Sequence, residues 1–423
     1  MSPRKLLLDS FNVAVAAADP LHIVSRHLPK PPKGHTLVVG AGKAAAAMAL
    51  AVESHWPKEA GLDGIVITRY DHGLSTNRIA VYEAGHPEPD KQGEQVAREI
   101  LVKVKQLGSE DLLLCLVSGG GSSLLSLPVA GISMNDLKNV TRKLLRCGAT
   151  IHEINTVRKH LSAIQGGRLA ASCRAPILAL IISDVTGDEP ANIASGPCAP
   201  DPTTYQDALA ILERYRISKP ISIIKILISG AKSKLNETPK PGDIIFQNVE
   251  NRVIATSHNS LVAAGDFFRS KGIPAAILGD TVTGEARHVA KVYAALAHEI
   301  RQYGHPWRPP VVLISGGETT VTVNGKGNGG RNTEFLLSLA IELAGTRKVY
   351  ALACDTDGVD GLENNAGAIV EPDSLYRAEQ LGINPATLLA NNDTHTFFKQ
   401  IGDLVITNPT RTNVSDYRAI MVL

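Results

Sequence analysis

The feature that most constrains this chain is an alternation. Apolar runs of strand length are separated by segments of helical spacing almost from end to end. Thr36–Val39, Gly64–Thr68, Leu112–Val117 and Ile177–Ile182 read as buried strands, and Val253–Ala255, Ala275–Leu278, Val311–Ile314 and Val349–Ala353 repeat the pattern later. Between them, Lys43–Glu53, Glu94–Gln106, Met134–Arg146, Leu261–Arg269 and Ala286–Tyr303 carry helical patterns. Strands that are unbroken runs of Val, Ile and Leu need cover on both faces. The pattern therefore predicts an α/β fold of mostly parallel sheets layered with helices. At 423 residues the chain exceeds one ordinary domain. The polar stretch Lys234–Asp243, with its prolines and glycine, interrupts the alternation. It sets the expected division: an N-terminal Rossmann-like domain over 1–240 and a C-terminal α/β domain over 241–423, with the active site in the cleft between them.

Composition narrows the class. A formal net charge of +2, with both signs mixed and no Lys/Arg patch, argues against nucleic acid as a partner. Cys115, Cys147, Cys173, Cys198 and Cys354 are scattered and form no C-x-x-C pair, so neither a disulfide framework nor a structural zinc site is expected. That usage fits a reducing cytoplasm. No apolar stretch reaches the length needed to cross a bilayer. The expectation is a cytoplasmic protein acting on small molecules, with no membrane partner.

Folds of this kind place their chemistry at the carboxyl ends of strands, and the chemistry-bearing clusters fall there. Gly40-Ala41-Gly42-Lys43-Ala44 joins a strand to a helix. It suits an anion beside Lys43, which is the favoured reading; it also fits part of a dinucleotide fingerprint, and the remaining reading is a plain tight turn. Ser118-Gly119-Gly120-Gly121-Ser122 offers a nest of convergent N–H donors, or a flexible turn. A second Ser-Gly-Gly at Ser315-Gly316-Gly317 runs into Glu318, a candidate for water-mediated Mg²⁺ binding or for holding a basic side chain. Asn324–Gly330 reads as a mobile loop or hairpin, with Arg331 able to fork onto phosphate or carboxylate oxygens. Asp355, Asp357 and Asp360 follow a strand as metal ligands or as Asx-turns. Asp184 and Asp188 follow Ile177–Ile182 and are candidates to accept a hydroxyl proton; Asn155, Arg158 and Lys159 lie on a polar segment able to reach the same cleft. His86 reads as a loop histidine. There is no P-loop and no protein-kinase signature.

Taken in order, these clusters, with His86-Pro87, Ala194-Ser195-Gly196-Pro197 and Asn408–Val414, resemble the glycerate 2-kinase family, whose C-terminal half is known as the MOFRL domain. The resemblance implies a kinase that uses ATP and Mg²⁺ to convert D-glycerate to 2-phosphoglycerate, with room for a homodimer. It implies that Lys43, Arg331, Glu318, Asp357 and Asn413 line the cleft, with an aspartate from Asp184–Asp188. On that basis Lys43 and the glycines of Ser118–Ser122, with Gly40, Gly42, Gly316 and Gly317, are expected to hold anionic oxygens. Arg331 would stabilise the transferring phosphoryl group. Asp357, with Glu318 or Asp360, would hold Mg²⁺, and Asp188 or Asp184 would take the proton. Members of the family also carry the label hydroxypyruvate reductase, for which the partial fingerprint at Gly40–Ala45 is the local support.

Overall fold

The computed structural model describes the whole chain, Met1 to Leu423, and is of the α/β class. The first sheet contains β1 (Thr36–Ala41), β2 (Leu62–Arg69), β3 (Ile79–Ala84), β4 (Leu112–Val117), β5 (Ile177–Ile182) and β6 (Val249–Ala255). Their order is β3-β2-β1-β4-β5-β6, and the pairs from β3 to β5 are parallel. The chain order reverses between β1 and β4. In open α/β sheets this switch point is where ligands bind, beyond the carboxyl ends of the strands. Every residue of β1, β4 and β5 is buried, as their unbroken apolar runs require. One face packs Val39, Leu113, Cys115 and Ala179 against Val96, Ile100 and Val104 of the helix Lys91–Val104.

The second sheet differs from the mostly parallel arrangement expected. It holds β7 (Ala275–Gly279), β9 (Val311–Ser315), β11 (Val349–Asp355), β12 (Gly367–Val370), β13 (Leu404–Val405) and β14 (Asp416–Val422), while β8 (Gly284–Glu285) and β10 (Thr319–Thr320) pair separately. The order is β13-β12-β11-β14-β9-β7. Only β7 and β9 run parallel; β14 lies antiparallel to both β11 and β9. The chain enters β14 from the long loop after Asn408 without a crossover helix, and a strand reached that way is free to run antiparallel.

The chain divides into a unit of Pro20–Ile254 and a unit of Met1–Asp19 with Ala255–Leu423, which corrects the expected boundary in two respects. Lys234–Asp243 is no linker. Thr238 Oγ1 donates to Asp201 Oδ2 at 3.0 Å, and Asp201 N donates to the Pro239 carbonyl at 2.9 Å, before the chain returns to add β6. The N-terminal helix Pro3–Ala16 belongs with the C-terminal half. Its Leu7, Phe11 and Ala14 share a core with Leu261, Phe268 and Tyr417, and Tyr417 Oη donates to Ser10 Oγ at 2.8 Å.

Gly40 sets the spacing at the switch point. An added Cβ there would lie 2.1 Å from the Leu116 carbonyl oxygen, so no side chain fits between β1 and β4. Gly40→Ala should therefore destabilise the protein by about 2–4 kcal/mol, read as a fall of roughly 5–10 °C in the melting temperature by calorimetry. An unchanged melting temperature would mean that the seam relaxes freely.

Candidate active site

In the unit Pro20–Ile254, the carboxyl ends of β1 and β4 are tied together. Ser118 N donates to the Ala41 carbonyl at 3.2 Å, Lys43 N to the Gly119 carbonyl at 2.8 Å, and Ala44 N to Ser118 Oγ at 3.0 Å. Gly42 N donates to Ile67 and Ala45 N to Gly42. Four successive N–H groups, Gly42 to Ala45, are therefore already used within the protein. Gly40 and Gly42 are there for close packing, an added Cβ on Gly42 lying 2.1 Å from Ser118 Oγ. They are not a phosphate-binding nest. What the turn offers a ligand is the Lys43 side chain.

The glycine run after β4 is different. Gly119 N and Gly120 N have no hydrogen-bond acceptor in the protein, whereas Gly121 N closes a turn onto the Ser118 carbonyl. Gly120 sits at φ +80°, a left-handed conformation that glycine adopts without strain. His86 and Lys43 flank it: a Cβ built on Gly120 would be 3.0 Å from the His86 ring and 3.5 Å from Lys43 Cγ. His86, read from sequence as a loop residue, therefore borders the site. Two open N–H donors beside an ammonium and an imidazole form a seat for an anion.

From this seat a hydrogen-bonded line runs into the neighbouring elements. Ser122 Oγ lies 2.9 Å from Ser195 Oγ, Ser195 Oγ donates to Asn155 Oδ1 at 3.3 Å, and Arg158 Nη1 donates to the same oxygen at 3.0 Å. Ser195 follows Ala194, and both hold positive φ, at 58° and 51°. Strained backbone of this kind persists only where the surroundings impose it. Gly121 leaves the room that Ala194 occupies, since an added Cβ on it would lie 2.6 Å from Ala194 Cβ. Asn155 and Arg158 come from the helix Ile151–His160, started by a capping box between Thr150 and Glu153. Arg158 is half-buried with no carboxylate partner, and burial pushes its pKa down to about 10. Lys159, on another face of the helix, is instead paired with Asp201 at 3.1 Å and lines a separate cavity of about 480 Å³. Asp184 lies two residues past the end of β5, whose register pairs Ile181 with Val117, which carries it on beside the Ser118–Gly120 segment. Asp188 lies farther along, in a turn at φ 54°. Ser195 was missed as a site residue because its part depends on contacts with segments about 40 and 70 positions away in sequence.

In the other unit, the motifs expected to bind metal and phosphate are locked into a polar network. Arg331 donates through Nε to Asp416 Oδ1 at 2.8 Å and through Nη2 to Asp355 Oδ2 at 2.7 Å, and pairs through Nη1 with Glu318. Burial alone would lower its pKa, but the charges of Asp416, Asp355 and Glu318 outweigh that and hold it well above the ordinary value. Asp360 accepts from the backbone N–H of Asn332 and of Thr333, both at 2.9 Å, and from Thr333 Oγ1. It caps the helix Arg331–Leu343, and burial raises its pKa. Asp357 Oδ1 accepts from Val359 N at 2.9 Å, an Asx-turn, and Asn413 Oδ1 accepts from Ser415 N at 3.3 Å. Asp357, Glu318 and Asp360 are thus not gathered into a metal site, and nowhere do three His, Cys, Asp or Glu side chains form one. Gly316 N donates to the Gly279 carbonyl, and an added Cβ on Gly317 would lie 2.4 Å from Val282 N, so the second Ser-Gly-Gly is packed tightly against its neighbours. The expected mobile loop is pinned. Asn324 N and Gly325 N both donate to Asn392 Oδ1, and Asn328 N donates to Asp393 Oδ1. Sequence reading also missed Asp416 and Arg418, fully buried and paired with each other on β14.

Two family models cover these elements. One, a domain of unknown function designated DUF4147, matches residues 6–228, and the MOFRL family matches residues 311–416. An Agrobacterium vitis protein named "Putative hydroxypyruvate reductase" is 49% identical over all of this chain and 95% of its own. The "Glycerate 2-kinase" of Pyrococcus horikoshii is 41% identical over 90% of this chain and 86% of its own. The crystal structure of Thermotoga maritima glycerate kinase matches with a TM-score of 0.88 at 38% identity, covering 99% of both chains. Fold and site define a two-unit α/β protein in which a DUF4147 segment precedes a MOFRL segment. The chain belongs to the glycerate 2-kinase family.

Because Arg331 neutralises buried carboxylates, Arg331→Ala should destabilise the fold by about 3–5 kcal/mol. Thermal unfolding of the variant checks this. A melting temperature within 2 °C or so of the parent would show that the guanidinium is not needed to compensate Asp355 and Asp416.

Proposed function

We infer that this chain is a glycerate 2-kinase that transfers the terminal phosphoryl group of ATP to the 2-hydroxyl of D-glycerate. Relatives named glycerate kinase, similar along nearly the whole chain, support the reading. The observation that carries it is the pair of open donors, Gly119 N and Gly120 N, beside Lys43 at the switch point of the first sheet.

Phosphoryl transfer passes through a loose transition state, so the protein acts mainly by positioning the reactants and neutralising charge. Lys43 and the two N–H groups hold phosphate oxygens. Asp184, next to that segment, orients the glycerate hydroxyl and accepts its proton late; Asp188 is placed less directly. Arg331 keeps one N–H on each terminal nitrogen after its three ion pairs, and these are what it offers a phosphate. Asp357 and Asn413 support the loop around it. Mg²⁺ enters on the nucleotide phosphates rather than in a cage of protein ligands, a common mode for this ion. A nicotinamide-dependent reductase is less well supported, because the turn that would hold a dinucleotide pyrophosphate has its N–H groups already engaged. We place the enzyme in the cytoplasm on the scattered free cysteines. No single helix is long and apolar enough to cross a membrane. Its partners are small molecules; the reaction needs neither nucleic acid nor membrane, and a homodimer is compatible with it.

Purified protein with D-glycerate, ATP and Mg²⁺, coupled to enolase alone, should yield ADP and phosphoenolpyruvate in equal amounts. Lys43→Met should lower kcat/KM by roughly 10²-fold or more. No ADP, together with oxidation of NADH or NADPH by hydroxypyruvate, would overturn the assignment.

A further inference from the structure

The line Ser122–Ser195–Asn155–Arg158 ends on a cation with no counter-charge. Arg158 makes one hydrogen bond, to Asn155 Oδ1, and no ion pair. Every other guanidinium N–H is unused, and arginine can only donate. The Asn155 oxygen must therefore face Arg158, which fixes the orientation of the amide and leaves its NH₂ group without a partner. Ser195 donates to the same oxygen, so its own oxygen takes the proton of Ser122. The arrangement has a polarity: acceptors are satisfied from within, and donors are left over. Asn155 and Ser195 are enclosed, at 3% and 0% exposed, while Arg158 is half-buried, so its guanidinium is fixed by the protein on one side and open to a ligand on the other.

We propose that Arg158 and the Asn155 amide bind the carboxylate of the hydroxy-acid substrate, with Ser195 as a positioning residue that holds Asn155 in register. The charge count favours a carboxylate over nucleotide phosphates. One guanidinium with neutral donors balances a single negative charge, and its planar fork matches two coplanar oxygens. The polyanionic phosphate then falls to Lys43 and the open N–H groups of Gly119 and Gly120, to which Ser122 connects this site. The unperturbed part of the helix supports the assignment: Lys159, the adjacent cation, is already neutralised by Asp201 and has no such vacancy in its charge balance. The inference rests on the kinase reading for the identity of the substrate.

The test is steady-state kinetics of the full chain with each substrate varied, beside thermal shift without nucleotide. Arg158→Met should raise KM for D-glycerate by roughly 10- to 100-fold, the range expected for losing hydrogen bonds to a charged group. KM for ATP should stay within about twofold. Arg158→Lys should recover part of the loss, and Ser195→Ala should raise the same KM by roughly 3- to 10-fold. D-glycerate alone should raise the melting temperature of the parent protein, the uncharged glyceramide should not, and Arg158→Met should abolish the shift. A rise in KM for ATP instead would assign Arg158 to phosphate and overturn the proposal, as would unchanged KM for glycerate. If Arg158→Met fails to fold, the guanidinium is structural and the proposal falls unless Arg158→Lys, folded, shows a smaller KM rise that is specific to glycerate. Absence of ADP formation by the parent protein would sink the kinase reading separately, and the thermal shift would still report on this site.

Discussion

Between Gly40 and Leu116 two backbones approach so closely that no side chain can intervene, and the candidate site depends on that approach. It brings the ends of β1 and β4 within hydrogen-bonding distance, so that Ser118 caps the first turn after β1 and Lys43 N holds the Gly119 carbonyl. With that carbonyl fixed, Gly119 N and Gly120 N are left as the open donors. The same contact that consumes one set of N–H groups thus exposes the other. A backbone donor can serve a ligand only if no neighbouring strand has already taken it.

The second unit is organised around a different interaction. Asp416, on β14, accepts from Arg331, Asn332 and Arg418. It lies 1% exposed, where an unpaired carboxylate would be strongly unfavourable. Its partners are therefore held as firmly as it is. The Asp355–Gly361 and Asn408–Ser415 loops are joined to this network through Thr356, whose hydroxyl donates to the Ser415 carbonyl and accepts from Val414 N. Residues that a sequence reader assigns to metal and phosphate turn out to satisfy one another. Whatever they contribute to catalysis, they contribute from a preorganised scaffold.

Much of the architecture was legible. β1, β4, β5, β9 and β11 were read close to their observed limits, since unbroken Val/Ile/Leu runs bounded by glycine leave few alternatives. β3 and β14 were not read. β3 has only its two ends buried, and β14 interleaves Asp416 and Arg418 with apolar residues, so its buried charges disguise a strand as a loop. The division of the chain was misplaced for a similar reason. Lys234–Asp243 has the composition of a linker, but its polar groups are used on Asp201 and Thr203. The N-terminal helix has nothing in its sequence to say which half it will cover.

By itself the sequence determined the α/β class and the placement of glycine and acidic clusters after strands, Lys43, Ser118–Ser122 and Asp184 among them. Those properties are local, set by side-chain periodicity and by the few residues that allow a tight turn. The tertiary structure decided which donors stay open, which carboxylates are already paired, and that Arg158 stands without a counter-ion beside Asn155 and Ser195. Satisfaction of a polar group is a property of its neighbours in space. Most of those neighbours lie tens of residues away along the chain, where no pattern in the sequence can show them.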